Sequence, residues 1–135
     1  MTLLAQTATT ELVPFNTAAT VGPWIITVTQ AMIGDQATAM LQEKNSANVP
    51  VAELPGADPE TSYVLARITV QNTSAASRVI NLADFAATGS DGILRRPPSI
   101  EVPDPALQQI VPAGETLQGI VPFLVDDAET ATIWF

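Results

Sequence analysis

The sequence predicts an antiparallel β-sandwich, and three observations predict it. Segments rich in Val, Ile and Thr alternate apolar and polar residues at period two, which is the spacing of a half-buried strand. Clusters of Gly, Pro, Asn and Asp separate these segments at short intervals. Only one stretch carries helical spacing, and nothing alternates strand with helix as a parallel sheet requires. The expected architecture is seven to eight short strands with one short helix near residues 35–45.

The first 20 residues are rich in Ala and Thr, yet they include Leu12, Val13 and Phe15, which a linker does not need. Residues 1–13 are therefore expected to form an arm or edge strand, and 14–135 a single domain. Trp24 to Thr29 opens after Gly22-Pro23 and is dominated by β-branched residues, so it reads as a strand with Trp24, Ile26 and Val28 on its core face. Asp35 to Asn45 breaks the β pattern. There Ala37, Met40, Leu41 and Lys44 fall at i, i+3, i+4 and i+7, and Asp35 stands at the N-cap position.

Val49 to Glu60 holds three prolines and reads as an extended loop. Tyr63 to Gln71 is the clearest strand: Val64, Ala66, Ile68 and Val70 alternate with Tyr63, Leu65, Arg67 and Thr69. Asn72-Thr73-Ser74 supplies the turn chemistry that ends it. Short strands are expected over Val79–Leu82 and Phe85–Thr88, then a tight Ser90-Asp91-Gly92 turn feeding Ile93-Leu94-Arg95. After a second Pro-rich crossing, Pro97 to Pro105, the turn Pro112-Ala113-Gly114-Glu115 leads into a strand over Thr116–Val125. Leu117, Gly119, Val121, Phe123 and Val125 share its core face, and Pro122 on the other parity marks an edge or a bulge. Asp126 to Glu129 makes the last turn, from which Thr130 to Phe135 is expected to return antiparallel. That apolar, β-prone final stretch suggests a domain excised from a longer protein.

Missing residue types narrow the chemistry. The chain has no cysteine and no histidine, so disulfide frameworks, thiolate nucleophiles, zinc ribbons and Ser-His-Asp triads are excluded. With 14 acidic side chains against 5 basic ones, it lacks the cations that phosphate-backbone binding demands, so no nucleic acid partner is expected. No apolar run approaches the length of about 18 residues that a membrane span needs. Gly-rich phosphate loops and Gly-x-Ser-x-Gly elbows are absent too, and no enzyme activity and no cofactor are expected.

The order Val21-Gly22-Pro23-Trp24-Ile25-Ile26-Thr27-Val28-Thr29, Tyr63 to Asn72, Phe85 with Gly89-Ser90-Asp91-Gly92, Pro112-Ala113-Gly114-Glu115 and Gly119 to Val125 resembles a known group. These are the bacterial extracellular immunoglobulin-like domains of unknown function related to the mycobacterial secreted immunoprotective antigen. The resemblance covers roughly residues 14–135. It implies an Ig-like sandwich located extracellularly or at the cell surface, often lipid-anchored or fused to other modules, with no catalytic residues.

Carboxylates are the abundant functional groups. Asp126, Asp127 and Glu129 share one turn and, with Asp84 or Asp91, are candidate oxygen ligands for calcium, although the alternating calcium-loop spacing is missing. The simpler reading is a solvated acidic turn. Arg95 and Arg96 before Pro97-Pro98 are the one local concentration of positive charge and candidate partner contacts, with neutralisation of nearby acids as the plainer alternative. Leu12 and Phe15 are candidate contacts for a protein partner or for self-association, because a β-competent arm can add to a neighbour's sheet. Asn72-Thr73-Ser74 also matches a glycosylation acceptor, and reads here as a turn.

Overall fold

The computed structural model describes residues 4–6, 12–14, 16–44, 61–90, 92–98, 107, 109–126 and 131–135. In chain order these form β1 (Leu4–Gln6), β2 (Leu12–Pro14), β3 (Ala19–Val21), β4 (Trp24–Ile33), α1 (Gly34–Lys44), β5 (Thr61–Asn72), β6 (Arg78–Ile80), β7 (Ala86–Thr88), β8 (Gln109–Val111), β9 (Thr116–Asp126) and β10 (Thr132–Trp134). Two four-stranded sheets, ordered β3-β4-β5-β9 and β2-β1-β10-β7, make an all-β sandwich, and β6 and β8 add a two-stranded ladder among the described residues.

The β3-β4-β5-β9 sheet is antiparallel throughout, and its central strand β5 is paired along almost its whole length with β9. One face of this sheet carries Trp24, Ile26 and Val28 from β4, Val64, Ala66, Ile68 and Val70 from β5, and Val121, Phe123 and Val125 from β9. All of them are buried in one cluster with Ile80, Phe85, Ala87, Leu107, Val111 and Ile133. The period-two alternation thus places the core where the sequence puts it. Gly119 is small for a reason: a Cβ there would lie 2.8 Å from the Leu107 Cα, so only a hydrogen at this position lets the residue-107 backbone enter the core.

The opposite face of β5 divides in two. Toward its start, Tyr63 and Leu65 are buried beneath α1 with Ala37, Leu41 and Ile120. The expected helix is present, and Ala37 and Leu41 are its buried positions while Lys44 stays exposed. The helix follows β4 without a loop because Gly34, at φ 62, supplies the left-handed turn. Beyond the helix the same face bears Thr27, Gln30, Arg67, Thr69, Gln71 and Gln118 and is open to solvent or half-buried.

Three expectations are corrected. The last strand does not return against β9: β10 lies in the other sheet, parallel to β1 and antiparallel to β7. Apolar parity can show that Ile133 is buried but cannot choose which neighbour supplies the hydrogen bonds. The β1–β10 pair is parallel without any βαβ unit, because it joins segments from opposite ends of the chain. The strand expected over Val79–Leu82 is Arg78–Ile80, and Leu82–Asp84 forms a 3₁₀ turn instead. The Asp84 carboxylate accepts the Asn81 N–H at 2.9 Å, which favours this turn over extended chain. Elsewhere the differences are ones of extent: the first long strand runs to Ile33, through an irregularity between Val28 and Gln30.

The N-terminal segment is used within its own chain. β1 sits between β2 and β10, and β2 is one of the sheet's two edge strands.

Candidate functional site

Of the candidate calcium ligands, only Asp84 and Asp126 lie among the described residues. Asp126 closes β9 and its Oδ1 accepts the Thr61 hydroxyl at 2.8 Å. Asp84 is engaged with Asn81, and no group of three metal-ligating side chains gathers among the described residues. Asp91, Asp127 and Glu129 lie outside the described residues.

Arg95 and Arg96 hold the end of the chain segment that follows the Gly92 turn. Arg95 bridges Ala87 through two main-chain hydrogen bonds of 2.9 Å, on the edge of β7 that β10 leaves free. Arg96 is exposed and donates from Nη1 to the Ala83 carbonyl at 3.0 Å. Arg95 therefore covers part of a sheet edge, which is a way of blocking unwanted strand pairing, and Arg96 ties the same segment to the Leu82–Asp84 turn. Leu12 lies on the edge strand β2, and Phe15 is outside the described residues.

The free edge of β9 is bridged at two points. Ile120 accepts the Leu107 N–H and Asp126 accepts the Ser90 N–H through carbonyls that point away from β5. Pro122 has the same parity, so its missing N–H falls on the outward side where no ladder bond is lost. The edge position read for Pro122 from the sequence is correct.

Asn72 is a buried structural node. Its Nδ2 donates to the carbonyls of Ala76 at 2.8 Å and Val111 at 2.9 Å, and its Oδ1 accepts the Ser74 N–H and hydroxyl. Both Nδ2 hydrogens are committed inside the protein, so the folded chain has no acceptor nitrogen to offer for glycosylation. Tyr63 is likewise structural: burial raises its phenol pKa above the ordinary value of 10.0, and the group stays neutral under α1.

Two surface features escaped the sequence reading. Val79 and Ile110 are cross-strand partners in the β6–β8 ladder, and they are 54% and 66% exposed while Ile80 and Val111 beside them are buried. Ile93 and Leu94 are comparably exposed. In sequence each looks like a core residue of a short strand, and only the packing of the ladder on the core by its other face leaves this apolar face uncovered. The second feature is Arg67, half-buried on the open part of the β4-β5-β9 face, whose Nε is buried without a hydrogen-bond partner. A period-two reading lists Arg67 simply as an outward residue, because the missing partner is a matter of three dimensions.

These elements define an all-β, sandwich-like domain with one helix laid on its outer sheet. A scan against protein-family profiles matches nothing, and no curated protein is significantly similar in sequence. Among solved structures, the yjhA protein from Bacillus subtilis is similar over 88% of this chain and 76% of its own, with a TM-score of 0.60 at 10% identity. A functionally unknown protein from Listeria monocytogenes EGD-e aligns over 87% of this chain and 67% of its own, with a TM-score of 0.47 at 14% identity. The likeness to the Bacillus protein is one of fold.

Proposed function

We propose that this chain is a non-catalytic, Ig-like interaction module displayed on a bacterial cell surface. The observation that carries the reading is the exposed Val79–Ile110 pair. Apolar side chains placed side by side on a ladder weaken solvation without adding to the core, and such patches mark surfaces that other molecules cover. The bridges at Ala87 on β7 and at Ile120 and Asp126 on β9 hinder strand addition at those edges, which supports recognition through side chains instead. No helix among the described residues is long and apolar enough to cross a membrane.

The test is retention of the labelled domain on intact cells of the organism that encodes it. A Val79→Ser/Ile110→Ser variant with an unchanged melt is expected to lose most of that retention. Equal retention of the two proteins, or none by either, overturns the reading.

A second reading is a filament subunit that assembles by strand exchange through the N-terminal arm. It is favoured by the position of β1, which is held between β2 and β10 and belongs to a segment remote in sequence from β10. Light scattering after size-exclusion chromatography discriminates the two. A concentration-dependent oligomer abolished by deleting residues 1–14 supports exchange, and a concentration-independent monomer with or without them removes it.

A further inference from the structure

We infer that the open half of the β4-β5-β9 face binds a sparsely charged saccharide chain, with Arg67 clamping one carboxylate and the flanking Thr and Gln side chains holding neutral hydroxyls. This goes beyond the interaction role above and rests on a different surface.

Three rows cross the strands there: Ile25, Gln71 and Thr116; Thr27, Thr69 and Gln118; and Gln30, Arg67 and Ile120. Neighbouring strands lie about 4.8 Å apart, so each row places its side chains within roughly 10 Å of one another. None of these residues is acidic, in a chain whose net charge is −9. Hydroxyls and amides both donate and accept, which suits a polyhydroxyl ligand. A peptide added as a strand is disfavoured, because the site is a sheet face whose main-chain groups are already paired, and it offers Ile25 as its one half-buried large apolar side chain outside the part covered by α1.

Arg67 supplies the charge. Arg78 Nε donates to the Ser74 hydroxyl at 3.0 Å and Arg96 Nη1 to the Ala83 carbonyl at 3.0 Å, while Lys44 and Arg95 have partners of their own. Arg67 alone among the cations has a buried guanidinium nitrogen with no acceptor. A guanidinium prefers two parallel bonds to a planar carboxylate, and swinging outward to make them would give Nε the acceptor it lacks. One guanidinium matches one carboxylate, and a protein at −9 repels a dense polyanion, so the fitting ligand carries isolated uronates among neutral sugars.

The experiment is an amide chemical-shift titration of the whole chain with an alternating glucuronate–N-acetylglucosamine tetrasaccharide. An uncharged N-acetylglucosamine tetramer and a glutamate-containing tripeptide serve as the comparison ligands. Shifts are expected to concentrate at Thr27, Arg67, Thr69 and Gln118, with affinity about tenfold or more weaker in Arg67→Gln. Gln118 is exposed on the edge strand, so Gln118→Glu places a repelling charge beside the site without touching the core, and it is expected to weaken binding similarly. The inference is overturned by absence of binding, by shifts elsewhere, by equal affinity for the uncharged tetramer, by tighter binding of the peptide, or by undiminished binding in both variants.

Discussion

The two four-stranded sheets have the same number of strands and little else in common. In the β3-β4-β5-β9 sheet the strands β4, β5 and β9 are 10, 12 and 11 residues long, and β5 is covered on one face by the core and over part of the other by α1. In the β2-β1-β10-β7 sheet every strand has 3 residues, and the central pair joins Leu4 to Thr132 and Gln6 to Trp134. Long strands accumulate burial from residues near one another along the ladder. Short strands joined from opposite ends of the chain must first overcome the entropy of closing it. The first sheet is therefore a scaffold in its own right, and the second depends on it.

The largest expected effect tests that dependence at the scaffold. Phe123 is fully buried in β9, in contact with the cluster that faces the short-stranded sheet. Phe123→Ala removes a large side chain and leaves a cavity between the layers, and is expected to lower unfolding free energy by about 3–5 kcal/mol in denaturant titrations. A loss below about 1 kcal/mol would mean that the β9 face does not anchor the second layer.

What was legible in the sequence follows the same division. The Tyr63–Gln71 alternation, the Trp24-Ile26-Val28 face, the helix with Ala37 and Leu41 buried and the outward Pro122 all depend on local spacing, and local spacing is written in the chain. The partner of Thr132–Trp134 is not. Consecutive strands usually pair, and that prior favoured β9, but the hydrogen bonds go to β1 and β7. The surface features were hidden for a related reason. Val79 and Ile110 carry the same apolar signature as the buried Ile80 and Val111, and only tertiary placement separates them. The arginine pair was visible as a charge concentration, whereas the main-chain bridge from Arg95 to Ala87 depends on the fold.

Asn72 sharpens the contrast from the point where the scaffold meets the smaller ladder. Its side chain ties the end of β5 to the Val111 carbonyl of β8, a hydrogen bond removed from solvent. Asn72→Ala leaves that carbonyl without its donor and the Ser74 N–H without its acceptor, and is expected to cost about 1–3 kcal/mol. Asn72→Asp keeps the shape and the Oδ1 acceptor but loses the Nδ2 donors, so it should be destabilising too. Thermal melts of the two variants check this. An aspartate variant as stable as the native chain would show that the acceptor side alone fixes the turn.

The smallest effect is expected inside the short-stranded sheet, where one side-chain bond supplements the three-residue ladders. Trp134 Nε1 donates to the Thr88 hydroxyl at 3.1 Å, a diagonal link between β10 and β7. Trp134→Phe keeps an aromatic ring while deleting the donor, and is expected to cost about 0.5–1.5 kcal/mol. Amide hydrogen exchange gives the sharper reading, since it reports each strand separately. If the short-stranded sheet opens independently of the scaffold, protection falls across β7 and β10 in the variant while β5 is unaffected. If protection in β5 falls by the same factor, the two sheets open only together, and the difference in strand length has no counterpart in cooperativity.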